Sequence, residues 1–479
     1  MAEEIVSPSQ LLLKKFKHEP TFGQAKLFTL MDTFLTTEYE DPNERGVFVL
    51  RGYAGTGKTT FVSTLIKVLP KFGWKSVLLA PTGRAAKVMA NYSKRKALTI
   101  HKKIYKQTED SYSGNFVFKL QTNYHEGTIF IIDEASMIGD KREFGRESLL
   151  HDLFEYVFEA AGNRLLLIGD EAQLPPVGLD YSPALNAEYL ENHYFAQVLE
   201  HSLTEVTRQQ QDSGILFNAT KLREGMPLEE SKVFFNTKAF KDIYRMTSER
   251  LEDGLRYAYD KYGVENTTII TRSNKNAVQY NQYIRNRIYY YESELERGDL
   301  LMVVRNNYSI LDEDSEAGFI ANGEFAEVTH LGKEEEMHGL RFQHASLKLI
   351  DYPNDPEFDT LLLLDTLNSN TPTLGKDESK ALYESVLKDY YWVKSKKERS
   401  ELLAKDQYLN ALQVKFAYAL TCHKAQGGQW KAVFIDQGYI PDNKIDVDYM
   451  RWLYTALTRG ESEVFLVNFH PQFFNQTPQ

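Results

Sequence analysis

The run GVFVLRGYAGTGKTTFVSTLIKVL constrains this chain more than any other stretch. A short apolar run ends at Gly52, the octet GYAGTGKT occupies Gly52 to Thr59, and apolar residues then recur at helical spacing. Strand, glycine-rich turn and helix, in that order, are the setting of a phosphate loop. Glycines let successive backbone N–H groups turn inward around a phosphate, and the helix that follows adds the positive end of its dipole. Lys58 is placed to reach the β and γ phosphates, and the Thr59 hydroxyl to ligate Mg²⁺. Gly52, Ala54, Gly55, Thr56, Gly57 and Thr60 make up the rest of the expected cradle.

Three further segments repeat the strand-then-helix rhythm. SVLLAPTGRAAKVMANY has its strand at Val77 to Ala80, TIFIIDEASM ends in acids, and RLLLIGDEAQLPPV does the same. Apolar strands alternating with helices predict a parallel sheet covered on both faces. The polar residues follow each strand, at the edge where such sheets bind ligands. Asp133 is the expected Mg²⁺ carboxylate, and Glu134 the expected base for the attacking water. Gln173 is a candidate γ-phosphate sensor. A second set of such units begins near Leu203 and includes NTTIITRSNKNAVQYNQYIRNRI, AYALTCHKAQGGQW and WLYTALTRGESEVFLVNF. Arg208 and Arg459, both in this second half, are candidates to stabilise the charge that develops in phosphoryl transfer.

The rhythm breaks between Gly298 and Leu409. β-rich pieces there are followed by a charged helical tail from Lys376 to Lys405, and DEDSE stands at Asp312 to Glu316. The expected layout is a first lobe over 1–200, a second over 201–297 and 410–479, and an inserted β-barrel with a helical appendage over 298–409.

Charge matters through its distribution. The 479 residues carry a net charge of −11, yet Arg45 to Thr108 holds 14 Lys and Arg and no Asp or Glu in 64 residues. A basic stretch inside an acidic chain predicts a phosphate-binding surface. No run of about 18 apolar residues is present, so no membrane span is expected. The start, MAEEIVSPSQ, is unlike a secretory signal. Cys422 is the one cysteine, which excludes an intrachain disulfide and fits a reducing, cytoplasmic setting.

Taken in order, GYAGTGKT, APTGRAA, TIHK, IIDEASM, GDEAQLPPV, LTEVTRQ, ALTCHKAQG and YTALTRG resemble the superfamily 1B helicases, the RecD-like, phage Dda-like and PIF-type branch. The matching blocks run from Gln24 to Arg459. The resemblance implies an α/β fold of two RecA-like motor lobes with ATP between them and single-stranded DNA across their top. It also implies ATP-driven 5′-to-3′ translocation with unwinding of tailed duplex, roles in DNA repair, recombination or replication, and a monomeric motor. Gln24 in PTFGQ is similar to the family's adenine-reading glutamine, and Gly428 falls in a nucleotide-side block. Lys58, Thr59, Asp133 and Glu134 match the phosphate, metal and hydrolytic groups, and Gln173, Arg208 and Arg459 the γ-phosphate sensors. Thr82, His101, Thr271, Asn274, Thr421 and His423 fall in blocks that touch the strand in relatives. The resemblance further implies a strand-splitting hairpin, the pin, within about 103–128. SYSGNFVFKL offers a turn at Ser113 to Asn115, then Phe116 and Phe118, which either stack on the last base pair or pack the hairpin onto the lobe. The insertion resembles the SH3-like barrel of this branch.

Three other readings compete. A remodeller of RNA or RNA–DNA hybrids would share the motor, because backbone contacts carry no sequence information. A decayed, binding-only motor would have lost Lys58, Asp133, Glu134 or an arginine, and none is lost. An unrelated phosphate-loop ATPase would leave GDEAQLPPV, ALTCHKAQG and YTALTRG unexplained.

Overall fold

The computed structural model describes residues 6–37, 44–109, 116–142, 147–207, 212–226, 233–307, 309–311, 315, 317–352, 354–440 and 445–474. Arg208, the turn at Ser113 to Asn115 and the acids of Asp312 to Glu316 therefore lie outside the described residues, as do the side chains of Phe116 and Phe118.

In chain order the strands are β1 (Arg45–Gly52), β2 (Lys75–Ala80), β3 (Leu98–Thr99), β4 (Tyr105–Glu109), β5 (Phe116–Leu120), β6 (Thr128–Ile132), β7 (Arg164–Gly169) and β8 (Ala196–Leu203). Six of these form one sheet in the order β3-β2-β6-β7-β1-β8, and every pairing is parallel. β6 and β7 are buried along their whole length, as a central strand covered by helices on both sides must be. The pleat sorts β1 between the two sides: Val47 and Val49 join one core, Phe48 and Leu50 the other. β8 reaches Leu203, so the first sheet ends slightly past the expected boundary at 200. β4 and β5 make a separate antiparallel ribbon, with Tyr105 opposite Leu120 and Glu109 opposite Phe116.

The second half holds β9 (Ile243–Met246), β10 (Thr267–Thr271), β11 (Leu300–Val303), β12 (Phe325–Met337), β13 (Leu340–Leu349), β14 (Phe358–Leu363), β15 (Leu412–Phe416), β16 (Ala419–Thr421), β17 (Trp430–Asp436) and β18 (Gly460–Val467). A five-stranded parallel sheet runs β16-β10-β17-β18-β9. β11 to β15 close into a barrel. Its last strand, Leu412–Phe416, lies beyond the expected end at Leu409: LQVKF closes the barrel beside β11 before the chain re-enters the second sheet at Ala419. Barrel and second sheet share one continuous core, with Leu301 and Phe416 in the same cluster as Ile269 and Phe434. A buried Arg285–Asp299 ion pair at 2.8 Å fixes the junction, and Tyr418 donates to the same carboxylate at 3.0 Å. The architecture is two RecA-like parallel-sheet lobes with an inserted hairpin and an inserted small barrel. Among the described residues no helix is long and apolar enough to cross a membrane.

Candidate active site and strand-contact face

The phosphate loop leaves β1 and enters the helix Lys58–Val68 through Gly57, whose φ of 87° lies in the left-handed region. No side chain fits there: a Cβ on Gly57 would stand 2.5 Å from Gln24 Nε2. The loop is tied at both ends, by Tyr53 N to Leu203 O at 3.3 Å and by Thr207 N to Gly55 O at 3.0 Å. Thr56 Oγ1 donates to Tyr53 O at 2.8 Å. The amides of Gly55, Gly57, Lys58 and Thr59 have no acceptor among the described residues, which leaves them free for an anion. Lys58 Nζ donates to the carbonyls of Gly52 and Tyr53, the latter at 3.0 Å, so its ammonium is folded over the loop mouth.

Around the loop opens a cleft of about 1040 Å³ between the lobes. Lys58, Thr59, Thr60, Asp133, Glu134 and Gln173 line it from the first lobe, and Gly427, Gln429, Thr458 and Arg459 from the second. Asp133 is anchored by the Tyr92 hydroxyl at 2.6 Å and by the Glu134 amide at 2.9 Å. Burial, then the charge of neighbouring Glu134, holds its carboxyl above the ordinary range, while Lys58 pulls the other way. Glu134 has left-handed φ of 53°, a costly conformation for a glutamate that turns the chain sharply at the end of β6. Gln173 is buried, and its Oε1 has no partner among the described residues.

Arg459 crosses from the second lobe. Only 3% exposed, it donates to Thr455 O at 3.1 Å, Gly428 O at 3.3 Å and Thr458 Oγ1 at 3.2 Å. Its Nη1 stands 3.7 Å from Glu134 Oε1, an ion pair across the cleft. Gly428, expected among the nucleotide contacts, does not line the cleft; it turns its carbonyl to Arg459 instead. Its neighbour Gly427 faces the first lobe, at φ 74°, where a Cβ would meet Ala85 Cβ at 2.8 Å.

Tyr454 and Asp170 escaped the sequence reading. The Tyr454 hydroxyl donates to buried Asp170 at 2.6 Å and accepts from the Ala54 amide of the phosphate loop at 2.9 Å. Thr455 Oγ1 accepts from Leu174 N at 2.9 Å, and Gln426 Nε2 donates to Leu174 O at 2.8 Å. The signal lay inside blocks already singled out, LYTALTRG and GDEAQLPPV, at residues other than Arg459 and Gln173 chosen there.

Gln24 is buried and doubly engaged. Its Oε1 accepts from Thr21 N at 3.0 Å, and its Nε2 donates to Thr56 O at 2.9 Å. One N–H and one lone pair of the amide remain.

The residues expected to touch a strand divide sharply. Thr82 caps the helix Gly83–Ser93 by accepting from Ala85 N at 3.2 Å, yet stays partly exposed, as do Asn274 and Thr421. His423 is exposed. His101 is half-buried, and burial holds its imidazole below the ordinary value, with Asp152 pulling the other way. Thr271 departs from expectation: it is fully buried, and its hydroxyl donates to Ser273 O at 3.0 Å because β10 is an interior strand.

The basic window is also partly spent inside the protein. Lys102 pairs with Glu324 of the barrel at 3.0 Å, both buried, and Lys87 with Asp351 at 2.7 Å. The Arg84 guanidinium lies 4.5 Å from the ring centroid of Phe325 and 4.3 Å from that of Trp430. These cations dock the barrel on the first lobe. Lys67, Lys71, Lys75, Lys94, Arg95 and Lys96 of the same window stay exposed.

Comparison with known proteins gives the class first. The family model described as an AAA domain matches residues 42–240, and the UvrD-like helicase C-terminal domain matches residues 416–467, together more than half of the chain. The protein is thus a helicase of the phosphate-loop kind. The ATP-dependent DNA helicase dda of Enterobacteria phage T4 is 25% identical over 87% of this chain and 93% of its own length. The ATP-dependent RecD2 DNA helicase of Deinococcus radiodurans is 33% identical over 27% of this chain and 16% of its own length. The crystal structure of Pif1 helicase from Bacteroides in complex with ADP-AlF3 and ssDNA aligns with 96% of this chain and 95% of that one, at 17% identity and a TM-score of 0.47. The chain belongs to the superfamily 1B helicases.

Proposed function

We propose that this helicase hydrolyses ATP between its lobes and spends that energy on 5′-to-3′ movement along single-stranded DNA, parting duplex as it goes. The observation that carries the reading is Arg459, delivered by the second lobe to 3.7 Å from Glu134 on the wall of the phosphate-loop cleft. An arginine so placed links closure of the lobes to chemistry. The free amides of Gly55, Gly57, Lys58 and Thr59 hold the β and γ phosphates with Lys58. Glu134 orients and deprotonates the attacking water, with Gln173 Oε1 as a second acceptor for it. Arg459 stabilises the charge that builds on the γ-phosphoryl oxygens. Arg208 is proposed beside it from its place in LTEVTRQ.

The donors present suit Mg²⁺, which takes one or two protein ligands and completes its shell with water and phosphate oxygens. Thr59 and Asp133 both line the cleft and would hold it. When bound, the ion supplies charge neutralisation on the β and γ oxygens. Gln24 offers its remaining N–H and lone pair to the adenine edge. Thr82, His101, Asn274, Thr421 and His423 form the strand-contact face, and the β4–β5 ribbon the pin. Direction rests on family membership.

DNA-stimulated turnover tests the reading. ATP hydrolysis should be slow alone and rise steeply with single-stranded DNA. A matched strand bearing 2′-hydroxyls should stimulate less. Equal or greater stimulation by RNA would favour an RNA remodeller instead, and turnover indifferent to any strand would refute the motor.

A further inference from the structure

The helical appendage of the barrel contributes nothing to the cleft. Its helices, Lys376–Asp389 and Lys396–Ala404, pack Leu382, Val386 and Leu403 against Phe342, Leu361 and Leu363 on the outer face of β13 and β14. The turn joining them is firmly built. Val393 is buried and its carbonyl accepts from Arg399 Nε at 3.2 Å, while the Tyr390 hydroxyl donates to Asp406 at 2.9 Å. Yet Trp392 is 72% exposed, Tyr391 59%, and Tyr383, two turns earlier, 45%. Lys388, Lys394 and Lys396 are exposed beside them and form no ion pair among the described residues.

We propose that this turn is a second nucleic-acid contact, taking a single strand outside the motor channel: the other arm of a forked duplex. The inference rests on the helicase reading. Aromatic faces held in solvent by an ordered turn, interleaved with unpaired lysines, match a strand's bases and phosphates together. An acidic peptide would use the lysines and leave the aromatics bare. The appendage also sits apart from the barrel's contact with the first lobe. The barrel meets the first lobe at Glu324 and Tyr352, whereas the appendage grips β13 near Phe342. Seven residues along that strand, Phe342 to Leu349, span roughly 24 Å.

The test uses the full chain and a forked duplex with bromodeoxyuridine in one arm or the other. Ultraviolet crosslinking should join the 3′-tailed arm, not the motor-loaded 5′ arm, to the peptide containing Tyr391 and Trp392. The triple variant Trp392→Ala, Lys394→Gln, Lys396→Gln alters only exposed side chains. It should bind the fork about tenfold more weakly, with a log–log salt slope shallower by about 1.4 for the two lost lysine contacts. Its turnover on a short single strand should be unchanged. Crosslinking from the 5′ arm alone, or fork affinity and slope unaltered in the variant, would overturn the proposal. So would a variant that binds the fork normally but loses a glutamate-rich peptide bound by the parent. Failure of the parent to hydrolyse ATP on the short strand would count against the motor reading, separately from the crosslink.

Discussion

The two parallel sheets are built alike and end differently. After β1, β6 and β7 the first sheet presents a glycine loop with Lys58, the pair Asp133 and Glu134, and Asp170 with Gln173. At the ends of β10 and β16 the second presents Asn274, Thr421 and His423, amide, hydroxyl and imidazole groups. Arg459 carries its guanidinium from that lobe to the wall of the cleft beside Glu134, and Tyr454 reaches the phosphate loop with a hydroxyl. One sheet is equipped to bind a triphosphate. The other, on the proposed reading, senses it and holds a strand.

That division can be broken from either side. The largest effect is expected on the first sheet: Lys58→Ala should abolish ATP turnover while leaving the fold intact, because its ammonium meets loop carbonyls rather than core. Near-normal DNA-stimulated turnover in a folded variant would remove the loop from the chemistry. On the second sheet, Arg459→Ala should cut turnover by about 10³, the scale of a lost arginine finger, with DNA affinity nearly unchanged. Equilibrium binding and turnover on one preparation check this, and unaltered turnover would take Arg459 out of the site. Back on the first sheet, Glu134→Gln should keep nucleotide binding and hydrolyse roughly a hundredfold more slowly. Loss of binding instead would make Glu134 a ligand. A smaller, selective effect is expected from Phe116→Ala or Phe118→Ala. Unwinding should fall more than translocation along bare strand, since a wedge acts only where base pairs part. Equal losses in both would assign these rings to packing.

Much of the first sheet was legible because its signals are local. Strand, glycines and lysine sit within a dozen residues, and the acids follow apolar strands directly. The second lobe was harder because its chemistry depends on what is distant in sequence. Thr271 sits in a promising block, but β10 lies between β16 and β17, which buries its hydroxyl. Gly427 rather than Gly428 meets the first lobe, a one-residue distinction that only backbone direction decides. Lys87 and Lys102 read as phosphate-facing charge, yet their carboxylates come from the barrel, 264 and 222 residues away. LQVKF falls in the stretch expected to belong to the second lobe. Its pairing with β11 and β14 places it in the barrel instead.

The most direct measurement is strand displacement by the full chain on duplexes that differ only in carrying a 5′ or a 3′ single-stranded tail. With ATP and Mg²⁺, the 5′-tailed duplex should open, the 3′-tailed one should stay paired, and Lys58→Ala should open neither. Opening of the 3′-tailed duplex alone would contradict the proposed direction, and opening that persists in Lys58→Ala would contradict an ATP-driven motor altogether.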